Sequence, residues 1–492
     1  MAELEWLSAG DRLFLDAEDS HNPMHVAGCL LFDAEPLSRA AGEGTPEAAR
    51  GVDFERVCDY VESRLPKIPR YRQKLAPLGL DGRPCWVDDP DFNLLYHVRH
   101  VRLPLPGDER QLKRLCGRVI SQRLDNTKPL WELWVVEGIE GGRCALITKV
   151  HHCMVDGVAG VDLLQELLRG EPSDRIGRID PFAPRTLPGF AERVAEQVVR
   201  GLFAPLELAS GAVQRLRDPL ATLELGKGLW RAQQFESHPA SSTPFDGTGG
   251  PHRRFDWCRI ERAQVEEVRR AWGGTVNDVA IATTAGAVAR YFTSQGLSSR
   301  VLRELDFRVA CPVNTRALHR SSAGEDGPLG NHVSMMFAQL PLAQRAPHQR
   351  YRLVRDALDE AKQSQVAPAL EALIELAGWL PSPLARTLVR SELARRPANL
   401  VFTNVPGPPV QLYLLGAPLL ESYPVVPLLP GQGVGIALLS YADHLCLGFN
   451  AEWEAIPDLH DLVLATQASF SELLDAARKT TLAPAAEVPA AG

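Results

Sequence analysis

The chain has no pair of cysteines at disulfide or metal-binding spacing; its nine cysteines, at 29, 58, 85, 116, 144, 153, 258, 311 and 446, are scattered. An odd, isolated set of this kind excludes a disulfide-stapled fold and fits reduced thiols in a cytoplasmic protein. A concentrated basic stretch is also missing: 53 Lys and Arg against 61 Asp and Glu give a formal charge of -8. Nucleic acid is therefore not an expected partner. The N-terminus, MAELEWLSAGDRLF, lacks a basic segment followed by an apolar core, so no secretory signal is read there. The longest uncharged run, 397–420, has 24 residues but holds five prolines and two glycines. A lipid-exposed helix cannot satisfy its backbone with that content. The run is read as strands and turns inside a core, and any membrane contact as peripheral.

Several catalytic signatures are missing too. There is no HExxH or CxxC for zinc, and no GxSxG nucleophile elbow. The cluster Gly431-Gln432-Gly433-Val434-Gly435 has neither dinucleotide nor P-loop spacing and is read as a turn. What is present is a chain of 492 residues, 45% hydrophobic and 23% charged, long enough to bury ample core in two domains.

The most informative stretch is Val150-His151-His152-Cys153-Met154-Val155-Asp156-Gly157. A β-branched run, 144–150, precedes it after Gly141-Gly142, and apolar residues at helical spacing follow to Arg169. The pattern reads as strand, tight loop, helix, with the histidine pair in the loop. Residues 133–139 and 144–150 form a hairpin that delivers the pair. Asp156 falls where a carboxylate caps a helix N-terminus, and Gly157 relieves the turn. A histidine titrates near neutrality and serves as a general base toward an alcohol or thiol. The plainer alternative is a hydrogen-bonded histidine pair with Asp156 as a cap only. A zinc site on His151, His152 and Asp156, which would need three fixed ligands and an open position, is disfavoured because the chain has neither HExxH nor CxxC spacing. Cys153 as a nucleophile is disfavoured because adjacent side chains of extended backbone face opposite ways.

HHxxxDG is the active-site motif of the acyl-CoA-dependent acyltransferase superfamily. With NPMHVAG (22–28), IPRYRQKL (68–75), DFNLLYHVRH (91–100), PLWE (129–132) and, later, FTNVPGP, the chain resembles the bacterial wax ester synthase/diacylglycerol acyltransferase family from about Leu7 to Lys479. The resemblance implies an α/β fold of two chloramphenicol-acetyltransferase-like domains, each a mixed sheet flanked by helices, with the active site in a tunnel between them. The expected division is 1–180 for the domain carrying the histidines, 181–252 for a helical connector, 253–479 for the second domain and 480–492 for a disordered tail. The implied reaction moves a long-chain acyl group from acyl-CoA to diacylglycerol or a long-chain alcohol. His152 is the expected base, His151 its neighbour in orientation or substrate contact, and Asp156 a loop anchor, with Arg316 its candidate partner. Asn277 and Asp278 are carried over as residues lining the active-site side, Asn277 as an oxyanion donor; helix capping is their simple alternative.

No cofactor beyond the acyl-CoA substrate and no metal is expected, and a cytoplasmic place with peripheral contact to the inner membrane face or lipid droplets is. Two rivals remain: a condensation-type domain using carrier-bound donors, and a non-catalytic lipid-binding protein on the same fold. The family departs here at Lys128, where Arg is common, and at Glu452, where Asp is usual.

Overall fold

A computed structural model describes residues 5–39, 51–78, 83–154, 160–187, 189, 227, 239–314, 333–343, 346–364, 366–377, 380, 382–393 and 395–482. The first half runs β1 (Glu5–Trp6), α1 (Ala9–Ala17), β2 (His25–Asp33), α2 (Phe54–Arg64), β3 (Gln73–Ala76), β4 (Cys85–Asp88), α3 (Leu94–His97), β5 (Val98–Arg102), α4 (Glu109–Ser121), β6 (Trp131–Ile139), β7 (Arg143–His151) and α5 (Gly160–Leu167). The second runs β8 (Arg253–Glu261), α6 (Arg262–Trp272), α7 (Val276–Ser294), α8 (Ser299–Glu304), β9 (Arg308–Asn314), β10 (Val333–Gln339), α9 (Pro347–Gln363), α10 (Val366–Ala377) and α11 (Ser382–Leu393). It closes with β11 (Leu400–Pro406), β12 (Tyr413–Leu414), β13 (Ala417–Val425), β14 (Val434–Tyr441), β15 (His444–Glu452) and α12 (Leu459–Leu482).

Two six-stranded mixed sheets carry the architecture, in the orders β12-β13-β2-β7-β6-β5 and β10-β9-β11-β14-β15-β8, beside a small sheet β1-β4-β3. The expected hairpin is present: β6 and β7 pair antiparallel around Gly141 and Gly142, both at positive φ. Only glycine adopts two such residues in succession without strain. The second sheet packs on α7, whose small residues (Ala280, Ala282, Ala285, Gly286, Ala287) are buried and let its neighbours approach closely. A Cβ on Gly286 would lie 2.3 Å from Ser469 Oγ on α12.

Two expectations need correction. The second domain does not keep all of 253–479 to itself: β12 and β13 leave it and extend the first sheet, β13 pairing antiparallel with β2. The final helix also continues to Leu482, three residues into the segment expected to be a disordered tail. Residues 483–492, and nearly all of the expected helical connector before residue 239, lie outside the described residues.

The halves are joined by a shared core. Leu112, Cys116 and Val119 of α4 pack with Phe255 and Trp257 of β8 and Tyr423 of β13. Lys113 Nζ meets Asp256 Oδ1 at 2.6 Å across the same seam. Where β13 crosses β15, Gly448 is obligatory on space alone, since a Cβ there would sit 1.9 Å from the Pro424 carbonyl oxygen. Backbone cannot yield as a flexible side chain does, so Gly448→Ala should destabilise by about 1–3 kcal/mol, read as a lowered urea midpoint.

Candidate active site

NPMHVAG and PLWE meet at the end of β7. His151 closes that strand opposite His25 of β2, and its N–H donates to the Leu130 carbonyl at 2.9 Å. It therefore belongs to the sheet and not, as the sequence suggested, to the loop. His152 opens a short 3-10 turn, His152–Met154, and its N–H donates to the Met24 carbonyl at 2.9 Å. Leu130 comes from PLWE and Met24 from NPMHVAG. Trp131 is fully buried, donates its indole N–H to the Tyr71 carbonyl at 2.8 Å and stacks on His97. Glu132 pairs with Lys149 at 2.9 Å and Arg99 at 3.3 Å. Lys149 has no exposed surface, and its Nζ also donates to the Val119 and Gln122 carbonyls at the end of α4. These blocks thus hold the strand that presents the histidines.

The two imidazoles are in different situations. His151 has no exposed surface, and its Nδ1 accepts the Cys153 N–H at 3.1 Å. With Nδ1 occupied as an acceptor, the neutral ring carries its proton on Nε2. That Nε2 is buried without a hydrogen-bond partner and faces Glu18 Oε1 at 3.8 Å. Glu18 is itself buried, bound by Arg123 Nη2 at 2.8 Å and by the Met24 N–H at 3.3 Å. His152 is partly exposed, and its ring lies on Phe14 with centroids 3.6 Å apart and planes at 11°. Burial pushes both imidazoles down to about 4; the Glu18 carboxylate opposes this at His151, and the residue's own backbone carbonyl opposes it at His152. Both are neutral at pH 7, the form a proton acceptor requires.

Burial also lowers His25, whose Nε2 donates to the Ile120 carbonyl at 2.8 Å, and His97. These four histidines set a pH dependence of stability. Burial holds all four folded pKa values below the unfolded value near 6.5, so below about 6.5 the unfolded chain binds more protons, for His151 and His152 down to about 4. Stability from this source is fully present above about 6.5 and is lost as pH falls, at up to about 1.4 kcal/mol per group per pH unit. Thermal melts at pH 7.5 and 5.5 should show the lower melting temperature at 5.5.

The remaining candidates fall differently. Asp156, Gly157 and Arg316 lie outside the described residues. Asn277 is not a helix cap: Thr275 caps α7, and Asp278 returns the bond, its Oδ2 accepting the Thr275 N–H at 2.7 Å. Asn277 Oδ1 instead accepts from Asn404 Nδ2, at 3.5 Å, which brings the FTNVPGP block beside the start of α7. Cys153 is buried, and burial raises its thiol well above the ordinary range, which disfavours a thiolate. Glu452 accepts the Thr248, Gly249 and Gly250 N–H groups, so it anchors the entry to β8. Among the described residues no three His, Cys, Asp or Glu side chains gather as a metal-binding group. No helix among them is long and apolar enough to cross a membrane.

A cavity of about 760 Å³ opens in the second half, lined by residues such as Leu302, Arg308, Phe337, Leu340 and Glu360, with neither histidine in its wall. Phe14 and Glu18 escaped sequence reasoning. Their spacing of four places them on one helical face, but nothing in the spacing names the histidines as what that face meets.

Residues 7–280 match the model of the wax ester synthase/diacylglycerol acyltransferase catalytic domain, and 329–474 match that of the WS/DGAT C-terminal domain. A putative diacylglycerol O-acyltransferase of Mycobacterium tuberculosis is 31% identical, over 96% of this chain and 91% of that protein. The O-acyltransferase WSD of Acinetobacter baylyi is 28% identical, over 92% and 93%. The solved wax ester synthase/diacylglycerol acyltransferase of Marinobacter aquaeolei VT8 superposes with a TM-score of 0.65 at 25% identity, covering 96% of this chain and all of that one.

Proposed function

Because the chain belongs to the wax ester synthase/diacylglycerol acyltransferase family and is thus an acyltransferase, we propose that it moves a long-chain acyl group from acyl-CoA to an acceptor hydroxyl, with His152 as general base. The acceptor is a diacylglycerol, a long-chain alcohol, or both. The observation that carries the assignment is the contrast between the rings: His151 is sealed in the sheet with Nδ1 occupied, whereas His152 reaches the surface of the site in its neutral form.

His152 takes the hydroxyl proton as the oxygen attacks the thioester carbonyl. The C–O bond forms, the C–S bond breaks, and the departing CoA sulfur takes the proton back from the imidazolium. No acyl-enzyme is needed. Asn277 is the proposed donor to the tetrahedral oxyanion, and Asp156 with Gly157 is proposed to shape the turn after the histidines. The reaction uses no cofactor other than acyl-CoA as substrate. The lipid acceptor is met at a membrane or droplet surface that the protein touches peripherally from the cytoplasmic side, in a tunnel between the halves.

Thiol release from palmitoyl-CoA, with dioleoylglycerol or hexadecanol supplied separately, tests this reading. Release that depends on acceptor supports it and ranks the two acceptors. No release with either, from folded protein, points to carrier-bound donors or a binding role.

A further inference from the structure

We propose that α1 is a positioning element of the transfer site: Phe14 and Glu18, one helical turn apart, hold the rings of His152 and His151 from the same side. The proposal rests on His152 being the base. Phe14 covers one face of the His152 ring in a near-parallel stack at 3.6 Å. Glu18, at the C-cap of α1, turns its buried carboxylate to the otherwise unpartnered Nε2 of His151. A proton held on Nε2 leaves Nδ1 to accept the Cys153 N–H, and that bond ties down the turn on which His152 sits.

The helix is fixed from the other half of the molecule. Arg12 donates to the Leu380 carbonyl at 3.0 Å, and Arg386 of α11 meets Asp16 at 3.4 Å. Arg390 donates to the carbonyls of Asp16, at 3.1 Å, and Glu18, at 2.7 Å. Phe14 packs with Met24, Ala17 and Val389 of α11 in one small core. The second half therefore bears on the angle of the His152 ring through α1. Among the described residues, the charged and titratable groups around the turn include His151 and Lys149 from β7, His25 from β2, Cys153 in the turn, Asp11 and Glu18 from the α1 segment, Arg123 after α4, Arg70, and Arg253 of β8.

A base displaced by about 1 Å loses rate on the order of 10²-fold, so a ring freed to tilt loses kcat and not substrate affinity. The test is kcat, KM and the pH profile of the full chain for Phe14→Leu, Phe14→Tyr and Glu18→Gln, beside thermal melts. Phe14→Leu should lower kcat by about tenfold or more with KM for palmitoyl-CoA within about twofold. Its kcat/KM should also decline below about pH 6.5, because a hydrated His152 regains its ordinary pKa and is protonated there. Phe14→Tyr keeps the stack and should restore both. Glu18→Gln should lower kcat without moving KM. An unchanged kcat and pH profile in Phe14→Leu overturns the proposal, as does a loss that Phe14→Tyr shares and that tracks melting temperature alone. If His152→Ala is inactive while Phe14→Leu is not, positioning fails and the base assignment stands; an active His152→Ala overturns both.

Discussion

His152→Ala is expected to lower kcat for acyl transfer by about 10²–10⁴, the range usual for loss of a general base. The cause is local. An acceptor alcohol at neutral pH is a weak nucleophile, and in the proposed mechanism the partly exposed neutral imidazole takes its proton. The substitution removes a ring that stacks on Phe14, so some packing is lost, but the backbone bond from residue 152 to Met24 survives it. Melting temperature should therefore fall by only a few degrees while turnover collapses, a separation that steady-state kinetics beside thermal melts will show. His151→Ala should behave oppositely. It empties a fully buried site facing the Glu18 carboxylate, so stability and activity should fall together.

The second large effect concerns stability. Lys149→Met should cost about 3–5 kcal/mol, because removing one partner of a buried ion pair leaves the other uncompensated. Among the described residues Glu132 would keep Arg99 and the Trp134 indole, the Gln122 carbonyl would lose the lysine donor, and the Val119 carbonyl would keep the Gln122 N–H. Burial lowers the lysine pKa and Glu132 raises it again, as expected for a cation held in place by its partner. Lys149→Met combined with Glu132→Leu should recover most of the loss, since replacing a buried pair with apolar groups is often neutral. Urea unfolding of the two variants reads the difference; equal losses in single and double variants would contradict the account.

How far the sequence leads can be followed through these residues. Hairpin β6–β7 announces itself by two apolar runs around Gly141-Gly142, and the doubled histidine at its end marks the candidate site. Two of the short blocks that carry the family resemblance supply the partners of those histidines, Met24 and Leu130 giving the carbonyls that fix their backbone, and a third holds Trp131 in place, the indole N–H donating to its Tyr71 carbonyl. Long-range pairing was not legible. Residues 413–425 are apolar strands by pattern, yet nothing local says that they leave one sheet for the other. That exchange explains the uncharged run 397–420, which passes from a central strand of one sheet to the edge of the other. Glu18 and Phe14 stayed hidden for a related reason: helical spacing defines a face, and only the tertiary fold supplies what the face touches. Helix capping is open to both Asn277 and Asp278 by residue type, and geometry separates them. Asp278 closes a capping box with Thr275, and Asn277 turns to Asn404.

The measurement that bears most directly on His152 as the base is the pH dependence of kcat/KM between pH 5 and 8, with palmitoyl-CoA and hexadecanol as substrates. A catalytic imidazole pushed down to about 4 stays neutral across that range, so the account predicts no acid limb between pH 8 and 5.5. A fall with a midpoint near the ordinary histidine value of about 6.5, or a kcat/KM of undiminished magnitude in His152→Ala, would contradict it.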